Sequence, residues 1–300
     1  MTLMDLRGVF APIPTPFDRN EQVDEHKLRA ACVRWASSPL TGLVVLGSTG
    51  EAVLLDEDES DRAVAVARQA WPAGRPFIVG TGRESTAATI HAVRRAAGLG
   101  ADAVLVRTPG FYKSQMNTDA FVRHYTAVAD TSSVPVLLYN FTAVTGVNLL
   151  PDAVSKLSAH PNIIGVKESG GDISQISAFV TGTPEGVNGL AGSSTTFNSA
   201  LGVGATGGIL ALSCILPDAC VRLFELARAG KQAEAAALQE RLLEIAKLVG
   251  SMYGIAGLKA ALKLVGCDVG GPRSPLAPVS DATVAVLREA LVSFEEVALV

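Results

Sequence analysis

Eight short apolar runs recur along the 300-residue chain, each followed by a longer stretch of different periodicity. The runs are Val9–Ile13, Gly42–Leu46, Pro76–Val79, Ala103–Val106, Val134–Tyr139, Ile163–Lys167, Gly186–Leu190 and Thr206–Ala211. Most are rich in Val, Ile and Leu and nearly unbroken, which is the pattern of strands covered on both faces. Between them, Glu57–Trp71, Ser85–Gly98, Thr118–Asp130, Pro151–Leu157 and Ile173–Val180 carry apolar residues at helical spacing. Ser85, Thr118 and Asp172 stand where helix-opening caps are expected. Buried strands alternating with helices describe a parallel sheet, and eight such units predict an α/β fold of the (β/α)₈ TIM-barrel type. An open doubly wound sheet calls for a glycine-rich turn after its first strand. This chain has Pro12, Pro14 and Pro16 there.

A barrel of this kind fills about 250 residues, so roughly 50 are left over. Beyond the eighth run the pattern is purely helical: Pro217–Ala229, Lys231–Val249, Gly254–Val265 and Ser280–Val297, with Gly230, Gly250 and Gly266 at the ends. The expected organisation is a barrel over residues 1–229 and a helical extension over 230–300, of a kind that often serves oligomer contacts.

Composition excludes several classes of function. With 48% hydrophobic and 18% charged residues the chain has a core to bury and is not disordered. A mean hydropathy of +0.33 raises the question of a membrane. The stretch Gly186–Pro217 is free of charge, but its seven glycines and two asparagines leave no apolar run of spanning length. It reads as buried strands and turns, and no membrane partner is expected. The 25 basic residues form no block against the 29 acidic ones, which argues against nucleic acid. Asp5 interrupts the N-terminal MTLMDLRGVF, so a cytoplasmic location is expected. Cys32, Cys214, Cys220 and Cys267 show no C-x-x-C spacing and read as buried free thiols. His26, His91, His124 and His160 are scattered, and no metal site is expected.

Barrel enzymes place their chemistry at the C-terminal ends of the strands. There the chain has Gly47–Glu51, Thr108-Pro109, Tyr139-Asn140 and Lys167-Glu168-Ser169. Of its eight lysines, Lys167 alone ends an apolar strand; Lys113 falls in a polar loop and the others on helical segments. Burial favours a neutral amine, the nucleophile of Schiff-base chemistry. An ion pair with Glu168 is the competing reading. Tyr139 ends the preceding run, where a phenol can move the protons that carbinolamine formation and dehydration require; otherwise it is a core tyrosine. Gly47 and Gly50 flank Ser48 and Thr49, whose N–H groups can converge into a nest for a carboxylate, unless the segment is an ordinary glycine-rich loop. Glu51 reads as a structural acceptor for loop N–H groups. Gly202–Gly208 (GVGATGG) precedes the eighth run rather than following it, which favours close backbone packing over a phosphate loop.

Taken together, GSTGE (Gly47–Glu51), Thr108-Pro109, Tyr139-Asn140 with Thr145-Gly146, and GVKES (Gly165–Ser169) resemble the dihydrodipicolinate synthase/N-acetylneuraminate lyase family of class I aldolases. The likeness runs from Gly8 to about Leu276. It implies a TIM barrel with added C-terminal helices, a homotetramer or dimer of dimers, and pyruvate or another small 2-oxo acid held without a cofactor as a Schiff base on Lys167. By position, Tyr139 is then the proton shuttle, and Ser48 and Thr49 hold the carboxylate. Three departures bear on the branch. The synthase arginine before the Thr-Gly dipeptide is Val144 here. The acidic pair of the sialate lyases is replaced within Ala191–Ser194. The family's second tyrosine, lent by a neighbouring subunit, falls at Phe111, which leaves adjacent Tyr112 as the candidate relay.

RESTAAT (Arg83–Thr89), GFYKSQM (Gly110–Met116), HPNIIGVKESGGD (His160–Asp172) and LAGS (Leu190–Ser193) most resemble the 4-hydroxy-2-oxoglutarate aldolase branch. That branch implies cleavage to pyruvate and glyoxylate, with Ser169 and Gly192 lining the pocket. The alternatives are a family dehydratase or aldolase acting on a 2-keto-3-deoxy sugar acid, a dihydrodipicolinate synthase, and a non-catalytic 2-oxo acid sensor.

Overall fold

The computed structural model describes residues 4–294. Eight parallel strands close into a barrel in sequence order: β1 Gly8–Pro12, β2 Gly42–Val45, β3 Phe77–Gly80, β4 Ala103–Arg107, β5 Val136–Asn140, β6 Ile163–Glu168, β7 Asn188–Ala191 and β8 Gly207–Ile209. The ring closes where β1 pairs β8, with Phe10 beside Ile209. Each predicted run holds one strand, its ends displaced by no more than two residues. The unbroken apolar runs have a direct cause in the two layers. Phe10, Val44, Ile78, Leu105, Leu137 and Ile209 fill the barrel interior. Val9, Leu43, Val79, Val104 and Leu138 pack outward beneath the helices.

The GVGATGG segment is a packing device. A Cβ at Gly207 would lie 2.1 Å from the Gly8 carbonyl oxygen, so the β8–β1 seam requires a residue without one.

The outer helices follow the predicted segments closely. Glu57–Ala70 opens on a reciprocal capping box, in which the Asp56 side chain accepts from Glu59 N–H and the Glu59 side chain accepts from Asp56 N–H. Ser85 and Asp172 cap their helices as expected. Thr118 does not: the cap is Asn117, whose Oδ1 accepts from Ala120 N–H at 3.0 Å, and Thr118 is the first helical residue. Asn117 has the extended backbone a cap needs. Three α-helices lie outside the predicted set, Glu25–Ala36, the short Thr142–Thr145 and Phe197–Gly202. In the first, Leu28, Ala31, Cys32 and Trp35 form one buried face, broken up in sequence by intervening basic residues.

After β8 come the helices Pro217–Arg228, Gln232–Lys247 with a π-helical continuation Leu248–Met252, Gly254–Leu264 and Asp281–Val292. Their apolar residues Leu242, Leu258, Leu262 and Leu287 belong to the same cluster as the outer face of the barrel. Positions 295–297 of the last predicted helix lie outside the described residues. Gly186–Pro217 is occupied by β7, Phe197–Gly202 and β8, and no helix among the described residues is long and apolar enough to cross a membrane. All four cysteines are free and buried, and burial pushes the thiols of Cys32 and Cys220 up to about 12.

Candidate active site

Inward and outward residues alternate along a strand, and the pairing register decides which inward residues are neighbours. Tyr139 on β5 stands directly beside Lys167 on β6. Both are buried, at 4% exposure each. Lys167 Nζ lies 4.3 Å from the centroid of the Tyr139 ring. The Tyr139 hydroxyl is 2.8 Å from Ser48 Oγ, in the turn that follows β2. An amine, a phenol and a hydroxyl from three strand ends therefore converge at one mouth of the barrel. Phe141 stacks on Tyr139, with ring centroids 6.2 Å apart.

Glu168 does not pair with Lys167. Its carboxylate points the other way, accepting from Asn140 Nδ2 at 2.6 Å, from Gln175 Nε2 at 2.7 Å and from the Gly170 N–H. Asn140 Nδ2 also donates to Asn148 Oδ1 at 2.7 Å, and Asn140 Oδ1 accepts from Leu149 N–H at 2.8 Å. This network locks the ends of β5 and β6 together. Among the described residues no carboxylate lies within 4.0 Å of Lys167 Nζ.

The Gly47–Glu51 turn lies just beyond β2. Its own hydrogen bonds use the N–H groups of Gly50, to Gly47 O, and of Glu51, to Ser48 O, and not those of Ser48 and Thr49. Glu51 is buried and structural as expected, but its partners were not foreseen: it accepts the distant Arg273 N–H at 2.8 Å and faces Lys259 at 2.6 Å. Ser169 and Gly192 meet at the adjacent rim. A Cβ at Gly192 would lie 1.9 Å from Ser169 Oγ, so the serine side chain occupies the space a larger residue would fill. Ser169 N–H bonds Asn140 O and Gly192 N–H bonds Glu168 O, which ties this rim to the β5–β6 ends.

Tyr112 is not part of this group. The loop after β4 is anchored by Glu84, whose Oε2 accepts from the N–H groups of Gly110 and Phe111 at 2.9 Å each, while Arg107 holds Oε1 at 2.7 Å. So held, Phe111 and Tyr112 stand 75% and 71% exposed, edge-on to one another. Val144 is exposed on the short helix Thr142–Thr145. Lys113 lays its side chain against Gly146 at the end of that helix, a placement that a polar-loop reading of Lys113 does not reveal.

Sequence reasoning missed three features: the Ser48–Tyr139 hydrogen bond, the Asn140–Glu168–Gln175 network and the burial of Lys259. For Lys259 a signal was present, a single lysine among the small and apolar residues of Gly254–Ala261.

The geometry is that of a site able to condense an amine with a carbonyl. A buried amine sits against a phenol, whose hydroxyl is hydrogen-bonded to Ser48 in the turn after β2. The sequence pattern of the Dihydrodipicolinate synthetase family matches residues 5–293. A 4-hydroxy-tetrahydrodipicolinate synthase of an Exiguobacterium species is 37% identical over 97% of this chain and 98% of its own. A probable mitochondrial 4-hydroxy-2-oxoglutarate aldolase of Emericella nidulans is also 37% identical, over 94% of this chain and 93% of its own. Among solved structures, the chloride-inhibited dihydrodipicolinate synthase of Acinetobacter baumannii complexed with pyruvate superimposes with a TM-score of 0.91 at 29% identity, covering 96% of this chain and 98% of that one. Fold and sequence agree, and this chain belongs to the dihydrodipicolinate synthetase family.

Proposed function

We propose that the protein is a pyruvate-forming class I aldolase that cleaves a 4-hydroxy-2-oxo acid, with 4-hydroxy-2-oxoglutarate as the leading substrate. The observation that carries this reading is the contact of Lys167 Nζ with Tyr139, whose hydroxyl is bonded to Ser48. Lys167 adds to the C2 carbonyl to give a carbinolamine, and loss of water gives an iminium. Tyr139 relays the protons of these steps with Ser48 as its hydrogen-bond partner. The Ser48–Thr49 turn holds the substrate carboxylate. Tyr139, or a water it holds, takes the C4 hydroxyl proton. The electrons of the C3–C4 bond pass into the iminium, and the aldehyde, here glyoxylate, departs. The remaining enamine is protonated at C3, and water hydrolyses the iminium to pyruvate and free Lys167. The iminium is the electron sink, so no metal or cofactor enters the scheme, and EDTA is expected to leave the rate unchanged.

The Emericella relative supports the aldolase reading, and Val144 in place of an arginine argues against the synthase one. The Exiguobacterium relative, equally similar, favours the synthase as the second reading. A panel of 4-hydroxy-2-oxo acids, 2-keto-3-deoxy sugar acids and aldehydes, with pyruvate and product analysis, separates the two. Release of pyruvate and glyoxylate from 4-hydroxy-2-oxoglutarate is the expected result. Water loss from a sugar acid, or net condensation of pyruvate with an aldehyde as the only activity, contradicts it.

A further inference from the structure

Behind the Ser48–Thr49 turn lies a second buried lysine that the chemistry above does not use. Lys259, on the helix Gly254–Leu264, is 2% exposed. Its Nζ lies 2.6 Å from Glu51 Oε1, with the two side chains 1% and 0% exposed. The same ammonium donates to the carbonyls of Thr15 at 2.7 Å and Gly271 at 2.8 Å. The other Glu51 oxygen accepts the Arg273 N–H at 2.8 Å. Thr15 closes the arrangement, its hydroxyl donating to Gly50 O at 2.6 Å. Four of these five bonds run from the β1 loop or the C-terminal segment to the last two residues of the turn or to their partner Lys259.

The turn they grip is strained. Leu46 and Glu51, at either end of it, have φ of 57° and 55°, in the left-handed region that non-glycine residues rarely occupy. Such conformations persist only where the surroundings over-determine them. A buried ion pair is weak evidence for stability, because desolvation offsets its attraction. Burial indeed works against the Lys259 charge here and Glu51 supports it. What the pair does supply is a fixed position for Glu51, two residues from Thr49.

We propose that Lys259, Glu51 and Thr15 are positioning residues that hold the Ser48–Thr49 turn in its strained, substrate-binding form, so that the C-terminal helices set the affinity of the site for a 2-oxo acid. This rests on the assignment of that turn to the substrate carboxylate. None of the three touches Lys167 or Tyr139 in the structure; they act through the turn.

The test is borohydride trapping of pyruvate on Lys167 as a function of pyruvate concentration, in the wild type, Lys259→Met/Glu51→Gln and Thr15→Val. The double variant removes both charges and leaves no unpaired ion. Thr15→Val is nearly isosteric, removes only the hydroxyl bond to Gly50 and keeps the backbone carbonyl that Lys259 meets, so it carries the test if the double variant does not fold. The expected result is a rise in the half-saturating pyruvate concentration of about tenfold or more in the double variant and several-fold in Thr15→Val, with full trapping still reached at high pyruvate. A merely structural role would lower the fraction of chains that can be trapped and leave half-saturation as in the wild type; that outcome overturns the proposal. Absence of an adduct in the wild type overturns the Schiff-base reading itself, whereas a wild-type adduct with unshifted variants overturns only the positioning role.

Discussion

Lys167 and Glu168 are adjacent in sequence and face opposite ways, and that alternation decides the chemistry available to the lysine. Glu168 is taken up by Asn140, Gln175 and Gly170, which leaves the Lys167 amine against the Tyr139 ring. The Tyr139 hydroxyl is the group best placed to move protons, so Tyr139→Phe keeps the ring beneath the amine and removes the carrier. Its expected effect is a fall in kcat of roughly 10²–10⁴-fold with the Lys167 adduct still trappable; steady-state kinetics beside trapping measures both. Gly192 sets the position of Ser169 by leaving room for it. Gly192→Ala drives a methyl into Ser169 Oγ and is expected to cost about 1–3 kcal/mol in a urea titration and to lower kcat/KM. Unchanged stability and activity would show that the rim yields freely. Lys167 and Tyr139 were legible in the sequence because each ends an apolar run. The Ser48–Tyr139 bond was not, because its partners are 91 residues apart and only barrel closure brings them together.

At the scale of elements, the strands were legible because both faces are buried, which strips them of polar residues. The helix Glu25–Ala36 was not, because its buried face is one stripe among basic residues. Lys259 was assigned only to a helical segment; its apolar neighbours hint at burial, but its pairing with Glu51, 208 positions earlier, is not visible along the sequence. Helix packing also creates a pH response remote from the site. His124, on Thr118–Thr131, is 5% exposed, with Nδ1 2.9 Å from Thr86 Oγ1 on the neighbouring helix. Burial chiefly, with Arg107 adding to it and Glu84 opposing, pulls its pKa down to about 4. The unfolded chain then binds a proton below about pH 6.5 that the folded chain refuses until about pH 4. Stability is therefore full above that upper value and falls as pH drops through the window, by on the order of 2–3 kcal/mol near pH 4.5. Thermal midpoints of the wild type and His124→Gln across this range measure it. A variant that loses as much stability as the wild type would remove His124 from the account.

The whole molecule joins a barrel and its C-terminal helices through one apolar cluster, and the C-terminal part reaches the Gly47–Glu51 turn through Lys259 on a helix and Arg273 in the loop that follows it. Phe111 and Tyr112, held outward by Glu84, give the barrel an exposed aromatic pair next to its mouth. This suits the proposed homotetramer or dimer of dimers, in which Tyr112 serves a neighbouring subunit. Light scattering is expected to give four times the 31.0 kDa chain mass, and a monomer would remove that role from Tyr112. The barrel was legible at this scale from its eightfold rhythm, but the coupling of its two parts was not, since it depends on contacts between the GSTGE turn and residues more than 200 positions later. The central claim is covalent capture of a 2-oxo acid by one lysine. Incubation with pyruvate and borohydride, followed by peptide mass spectrometry, tests it directly. The account predicts a reduced pyruvate adduct on Lys167, absent from Lys167→Ala; an unmodified Lys167, or an adduct on another lysine, would contradict it.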